Sequence, residues 1–205
     1  KAVKDHYNGV ITELVKPSPN THYGKSKLMA ENYILSKKLP KNKKVYILRP
    51  TLIYGENNKG NLRLLLNFVK SGFPWPLGIY KNERSFCGIG NICFIIFQLI
   101  KNNKVLSGVY NVCDDDIIST NKLIKIISNS QNKKIRILKI PKTIIQFISK
   151  LGDLMFLPIN SERLSKLTES YVVSNSKIKK SLEINYEGNP SQYQVSYECR
   201  KLNSS

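Results

Sequence analysis

The chain is poor in the residues that metal sites and disulfide scaffolds need. Its 205 residues contain only two histidines, His6 and His22, and no HExxH-type cluster accompanies them, so no metal is expected. The four cysteines have no CxxC spacing and are too few for a small disulfide-rich module. We therefore predict buried or free thiols in a reducing compartment, which indicates a cytoplasmic protein.

Long hydrophobic runs are also missing. The most apolar stretch, ICFIIFQLI at residues 92–100, is much shorter than the roughly 20 residues that span a bilayer. The opening KAVKDHYNG is polar and does not resemble a signal peptide. The sequence thus predicts no membrane partner. Its 41% apolar content is sufficient for one sizeable core in one or two domains.

Acidic residues are scarce: 14 stand against 33 basic residues, a net charge of +19. A charge of this size usually indicates a polyanionic partner. Here, however, the lysines are scattered among asparagines, without a dense basic tract or an interleaved aromatic platform. We interpret the charge as a solvated basic surface and expect no nucleic-acid partner, with a polyanion-binding module as the alternative.

The order of predicted elements indicates an α/β fold. A loop at residues 10–22, rich in proline at its end, precedes a helix over 23–39, and the β-branched run at residues 45–50 predicts a buried strand. Further along, Thr120 is a candidate cap for a helix that ends near Ser130, and residues 133–141 predict a strand. A helix followed closely by a strand is typical of βαβ units and a parallel sheet.

Tyr23 and Lys27 form a Tyr-x-x-x-Lys pair on the first predicted helix. Residues four apart lie on one helix face, so the phenol and the ammonium can enter the same cleft. A free phenol has a pKa near 10, and a nearby cation stabilises its phenolate form. Such a pair can take a proton from a sugar hydroxyl while a hydride leaves the same carbon.

The spacing alone is weak evidence, because three such pairs occur: Tyr23/Lys27, Tyr33/Lys37 and Tyr197/Lys201. Context favours the first pair. The string PSPNTHYGKSKLMAE, followed by VYILRPTLIYG, resembles the extended short-chain dehydrogenase/reductase family, especially its nucleotide-sugar epimerases and dehydratases. There YGxSKxxAE is followed by an LRPxxxYG strand and loop. The resemblance extends from Lys1 to about Ile184.

The resemblance implies roles for individual residues. Tyr23 would be the proton acceptor and Lys27 would hold the nicotinamide ribose. Pro50 and Thr51 would lie near the nicotinamide carboxamide. The substrate-binding residues implied by the KGNL segment, by ERSF and by NSERL are Asn61, Leu62, Arg84 and Arg163.

The resemblance also implies the architecture, and it implies that the N-terminal part of the family's fold is missing from this sequence. We expect the C-terminal part of a doubly wound Rossmann-type parallel sheet with a smaller α/β substrate-binding lobe. Residues 1–55 would be the rear of the dinucleotide-binding domain, 56–184 mostly the substrate-binding domain with the chain re-crossing to the sheet, and 185–205 an unassigned tail. The family's GxxGxxG loop and its catalytic Ser or Thr are absent, and Gly90 stands where the family has Asp. We therefore expect a piece of a longer protein that is inactive alone.

The activity implied for that longer protein is NAD-dependent epimerisation of a nucleotide-activated sugar, at C4 of a UDP-hexose through a 4-keto sugar. NADP remains open as the cofactor, and the family often forms homodimers. The alternatives are a dehydratase or 4-keto reductase of the same family, or a non-catalytic basic remnant that binds a polyanion.

Overall fold

A computed structural model describes residues 3–4, 7–55, 61–154 and 160–183. Within these ranges the chain is α/β. The helices are α1 His22–Leu35, α2 Asn61–Ser71, α3 Ile89–Lys101, α4 Thr120–Ser130, α5 Lys142–Leu154, α6 Ser161–Thr168 and α7 Ser176–Leu182. The strands are β1 Val10–Ile11, β2 Tyr46–Pro50, β3 Leu52–Tyr54, β4 Arg84–Gly88, β5 Gly108–Val112, β6 Ile117–Ile118 and β7 Val172–Val173. None of the described helices is long and apolar enough to cross a membrane.

Three pairs of strands are parallel, as the sequence predicts. β2 pairs with β5 from Tyr46↔Gly108 to Pro50↔Val112, β3 pairs with β4, and β1 pairs with β7. β6 lies on the other side of β4. Parallel neighbours need long crossover connections, and α2 lies in the connection between the paired strands β3 and β4.

The chain divides into two compact units. Unit 1 comprises Lys1–Tyr54, Ser85–Ile117 and Tyr171–Ser191. Its main core joins β5 to the apolar faces of α3 and α7, and its buried members are Cys87, Ile95, Leu99, Val105, Tyr110, Val112, Ile178 and Leu182. Ile95 and Leu99 are four residues apart on α3, the spacing that turns two side chains to the same face of a helix.

In the described part of the chain, unit 2 comprises residues from Gly55–Arg84 and Ile118–Ser170. In it α2 contacts α4, and α5 contacts α6. The assignment of the two units to dinucleotide and substrate binding stays a prediction. The tail at 185–205, with the Tyr197/Lys201 pair, lies outside the described residues, as does His6.

The strand predicted at residues 133–141 is wrong. These residues instead form isolated bridges, Trp75↔Ile137 and Leu77↔Lys139. The first bridge is parallel and the second is antiparallel, so the two do not continue into one ladder. The approach is nevertheless close: a Cβ on Gly78 would meet the Leu138 carbonyl oxygen at 2.7 Å, so only glycine fits there.

Two predicted helix boundaries need correction. The first helix ends at Leu35 instead of Leu39, because the Ser36 hydroxyl donates to the Tyr33 carbonyl and Pro40 disfavours helical backbone in the residue before it. The cap predicted at Thr120 is supplied by Ser119, whose hydroxyl accepts from the Lys122 N–H at 3.1 Å.

Thr120 serves a different purpose. Its hydroxyl donates to the Leu167 carbonyl at 2.7 Å and accepts from the Asn82 side-chain amide at 2.8 Å. Asn82 also donates to the Glu169 carbonyl at 3.2 Å. These buried bonds fix the end of α6 against the segment that leads into Arg84.

Candidate functional site

Helix α1 begins in a way that places the predicted catalytic pair in its first two turns. The Thr21 hydroxyl accepts from the Gly24 N–H at 3.2 Å, so Thr21 caps the helix. Tyr23 is 62% exposed, and the Lys27 ammonium lies 5.5 Å from the centre of its ring. The structure therefore brings the two side chains together, with the ammonium over the ring.

A second pair, Tyr33 in the last turn of α1 and Lys37 two residues beyond the end of that helix, has similar local geometry. Tyr33 is 63% exposed, and the Lys37 ammonium lies 4.2 Å from its ring centre. Proximity of phenol and ammonium therefore does not distinguish the two pairs. Their position on the helix does, because Lys27 lies one turn before Glu31 on the same face, while Tyr33 lies roughly 200° around the helix from Glu31.

Glu31 anchors that face to the sheet. Its carboxylate accepts from the Arg49 guanidinium of β2 at 2.6 Å and 3.1 Å, and both side chains are largely buried. The ion pair joins the YGKSKLMAE helix to the ILRP strand. The sequence contains one signal for this pair, because the two motifs carry opposite charges at Glu31 and Arg49.

Pro50 and Thr51 follow at the carboxyl end of β2. The Thr51 N–H donates to the Val112 carbonyl at 3.1 Å, which continues the pairing with β5. The Thr51 hydroxyl is buried and has no hydrogen-bond partner among the residues that the structure describes. A buried polar atom is normally paired, and ligands of open α/β sheets bind at the carboxyl ends of strands. The orphaned hydroxyl fits a ligand that carries hydrogen-bonding groups, as a dinucleotide does.

A buried carboxylate that the sequence analysis did not single out lies after β5. Asp114 accepts from the Tyr54 phenol at 2.7 Å, from the Asn91 amide at 2.6 Å and from the Gly88 N–H at 3.1 Å. It thus ties β3 to the junction of β4 and α3. Gly90, which replaces the family's Asp, stands at this same junction, so Asp114 supplies a carboxylate there. The acidic run that begins at Asp114 was the signal in the sequence.

The predicted substrate-binding residues lie in unit 2. Asn61 is the first residue of α2, although its side chain lies outside the described part, and Leu62 is buried. The Arg84 guanidinium donates to the Lys166 carbonyl of α6. The Arg163 N–H donates to the Asn160 side chain at 2.9 Å, which begins that helix. Arg84 and Arg163 are therefore both associated with α6.

A cavity of about 350 Å³ opens beside α6 within unit 2. Aliphatic and aromatic side chains form most of its wall, and Arg163 and Lys166 also line it. The lining residues are Leu64, Leu65, Phe68, Trp75, Pro76, Leu77, Ile140, Ile145, Ile148, Ser149, Asn160, Arg163, Leu164, Lys166 and Leu167. In the described part of the chain, no three His, Cys, Asp or Glu residues cluster as metal ligands do.

Two curated proteins similar to this chain are sugar 4-epimerases. The N-acetyl-alpha-D-glucosaminyl-diphospho-ditrans,octacis-undecaprenol 4-epimerase of Escherichia coli O157:H7 is 34% identical over 165 residues, which are 79% of this chain and 47% of that protein. The UDP-glucose 4-epimerase of Vibrio cholerae is 29% identical over 166 residues, 80% of this chain and 49% of that protein. The chain thus spans about half the length of these curated relatives.

Solved structures agree on the fold. The UDP-N-acetylglucosamine 4-epimerase from Bacillus cereus superposes with a TM-score of 0.71 at 22% identity, covering 100% of this chain and 63% of that one. The UDP-glucuronic acid 4-epimerase from Bacillus cereus, in complex with UDP-glucuronic acid and NAD, gives 0.70 at 17% identity, with 99% and 59% covered. The predicted α/β fold of Rossmann type is confirmed.

A model of an NAD-binding family, described as "Male sterility protein", matches residues 4–73. These residues hold the YGKSK helix and the LRP strand, which carry the resemblance drawn from the sequence. The family match and the two epimerase relatives agree with that resemblance. The chain is a member of the extended short-chain dehydrogenase/reductase family, of the type represented by the sugar 4-epimerases.

Proposed function

We propose that the intact protein epimerises C4 of a diphosphate-linked sugar with NAD as its bound cofactor. The observation that carries the proposal is the Tyr23–Lys27 pair on α1, held to β2 through the Glu31–Arg49 ion pair. The epimerase relatives support the same reaction. The sequence predicts a UDP-hexose as substrate, and the relative from Escherichia coli adds a polyprenyl diphosphate sugar as a second carrier.

Tyr23 would act as base and then as acid. Its phenolate takes the proton from the C4 hydroxyl, and NAD supplies the chemistry of accepting and returning a hydride. The 4-keto sugar then rotates in the site and presents its other face. The Tyr23 phenol finally gives the proton back to the C4 oxygen. The Lys27 ammonium would lie beside the phenolate with an opposite charge and would hold the nicotinamide ribose of the bound cofactor.

Pro50 and Thr51 would hold the carboxamide end of the cofactor. The orphaned Thr51 hydroxyl supports this role, because a carboxamide offers both a donor and an acceptor. Arg84 and Arg163 would bind the diphosphate, since guanidinium groups stay charged and donate two parallel hydrogen bonds. Asn61 and Leu62 would contact the group beyond the diphosphate, at the start of α2.

We place the protein in the cytoplasm, and the free thiols of Cys87, Cys93 and Cys113 support a reducing compartment. A homodimer through α1 is also part of the proposal. Its outward residues Met29 and Tyr33 are large, apolar in most of their surface, and more than half exposed.

The test compares the pairs Tyr23/Lys27 and Tyr33/Lys37 in the intact protein. Tyr23→Phe and Lys27→Met should each lower kcat for C4 epimerisation by at least about a hundredfold, the range expected when a general acid–base group is removed. Tyr33→Phe and Lys37→Met are the matched controls and should leave kcat unchanged. No reductant should be required, because the hydride is returned within each turnover.

Activity like that of the unmodified protein in Tyr23→Phe would refute the assignment. Equal losses in the two pairs would show that the variants perturb the helix and not the chemistry. A requirement for added NADPH would instead indicate the 4-keto reductase of the same family.

A further inference from the structure

The polar atoms of the unit 2 cavity are largely committed to the protein itself. The Trp75 indole N–H donates to the Asn121 side chain at 2.8 Å, so the ring offers the cavity an apolar surface. The Ser149 hydroxyl donates to the Gln146 carbonyl at 2.9 Å. The Asn160 amide oxygen accepts from the Arg163 backbone N–H and caps α6.

This lining is a poor match for a nucleoside. A uridine carries ribose hydroxyls and an imide, and burying such groups without hydrogen-bond partners is costly. An aliphatic chain has no such requirement and gains free energy with each methylene that leaves water. The walls formed by Leu65, Phe68, Ile145 and Leu164 therefore suit a branched hydrocarbon.

The position of the basic side chains indicates that the hydrocarbon carries an anionic head group. Arg163 and Lys166 line the same cavity, and the Arg84 guanidinium binds the backbone of α6 at Lys166. A ligand that enters the cavity with its apolar part would have its head group beside basic side chains. An isoprenoid chain ending in a diphosphate has this arrangement.

We propose that the cavity of unit 2 binds the first isoprene units of a polyprenyl diphosphate, and that the substrate is a sugar carried on this lipid. The assignment rests on the proposed epimerase function and names its substrate class. A volume of about 350 Å³ lies near the lower end of small-molecule sites, roughly 300–1,000 Å³, so the cavity receives a short segment of the lipid. The remaining chain would stay in a membrane, to which a net charge of +19 attracts the protein when the lipids are anionic.

The chain has a built-in reporter, because Trp75 is its single tryptophan and lines the cavity. Farnesyl diphosphate, titrated below its micelle concentration into the intact protein, should change the Trp75 fluorescence with saturation. Trp75→Phe gives the background of the rest of the protein. Farnesyl diphosphate should bind at least about a hundredfold more tightly than inorganic diphosphate, since several methylenes are buried.

The substitution Leu164→Gln tests whether the apolar wall of the cavity binds the isoprenoid chain. Leu164 is half-buried on α6, a helix that has no fully buried residue, so the change should be tolerated by the fold. The substitution should lower the affinity for farnesyl diphosphate by about tenfold. The control Leu14→Gln, at a site that is 95% exposed, should leave that affinity unchanged. Equal affinity in the two variants would overturn the proposal.

A competition with UDP separates this proposal from the previous one. If UDP alters the Trp75 signal and farnesyl diphosphate does not, the cavity is a nucleoside site and the lipid assignment is wrong. Tyr23-dependent epimerisation of a UDP-sugar would then still support the epimerase. If farnesyl diphosphate binds but neither a UDP-sugar nor a polyprenyl diphosphate sugar is epimerised, the epimerase proposal fails while the cavity still binds isoprenoid.

Discussion

Glu31 of α1 and Arg49 of β2 form a buried ion pair, with the Arg49 terminal nitrogen 2.6 Å from the Glu31 carboxylate and its Nε 3.1 Å from both oxygens. The contact joins the two sequence motifs that identify the family. It also fixes the rotation of α1 about its axis, because a side chain in the middle of the helix is held to the sheet. The orientation of Tyr23 and Lys27 follows from that rotation.

Removing the charge of only one partner of this ion pair should destabilise the folded protein strongly. Glu31→Gln keeps the shape but leaves the Arg49 charge buried without its counterion, so we expect a loss of about 3–5 kcal/mol in the free energy of unfolding. The double variant Glu31→Leu/Arg49→Met removes both charges and should recover most of that loss. Urea unfolding monitored by circular dichroism measures both. A Glu31→Gln variant as stable as the unmodified protein would contradict the structural role.

Tyr54 and Asp114 give a second prediction, which concerns unit 1 alone. The phenol donates to the buried carboxylate at 2.7 Å, so Tyr54→Phe leaves Asp114 with one donor fewer. We expect a cost of about 1–3 kcal/mol in unfolding free energy, the range for a buried bond to a charged group. The matched control is Tyr46→Phe, whose hydroxyl donates to the Val105 carbonyl at 3.2 Å from a less buried position.

Tyr46→Phe should cost clearly less, at most about 1 kcal/mol. Chemical denaturation of the two variants at one pH provides the comparison. Equal costs would mean that Asp114 is satisfied by Asn91 and Gly88 without the phenol.

The sequence predicted the local elements near Tyr23 well, for physical reasons. Thr21 followed by a helical apolar pattern indicates a helix start, and the run at 45–50 has the β-branched composition of a buried strand. The strand at 133–141 was predicted by the same rule and is wrong, because a strand also needs a partner that stays in register beside it. The segment around Trp75 and Leu77 makes only two bridges of opposite direction, and it is distant in sequence, so composition within 133–141 could not reveal this.

The candidate site was predictable to a similar extent. The four-residue spacing from Tyr23 to Lys27 determines that they meet on one face. The Glu31–Arg49 pair and the three bonds to Asp114 depend on tertiary contacts over 18 to 60 positions of sequence separation, and no local pattern encodes these. The apolar cavity was the hardest feature to predict from the sequence, because its leucines and isoleucines resemble ordinary core residues.

Cys87 and Cys113 give the third prediction, on reactivity. Burial raises the pKa of both thiols, and the charge of Asp114 raises it further, to about 12 for Cys113. Since only the thiolate reacts, both should resist alkylation by iodoacetamide at pH 8, whereas the exposed Cys93 should be labelled quickly. Peptide mapping by mass spectrometry resolves the sites. Rapid labelling of Cys113 in the native protein would show that its surroundings are not those described.

The same shifts make stability fall at alkaline pH. An unfolded thiol has a pKa near 8.5, so above that pH the unfolded chain loses protons that the folded chain retains. Each buried thiol then lowers the free energy of unfolding by up to about 1.4 kcal/mol per pH unit, until the pH reaches the raised pKa of the folded state. Cys113→Ala should reduce the slope of stability against pH between about 9 and 11, relative to Cys93→Ala. The comparison of slopes removes the contribution of lysines, which both variants share, and parallel slopes would contradict the prediction.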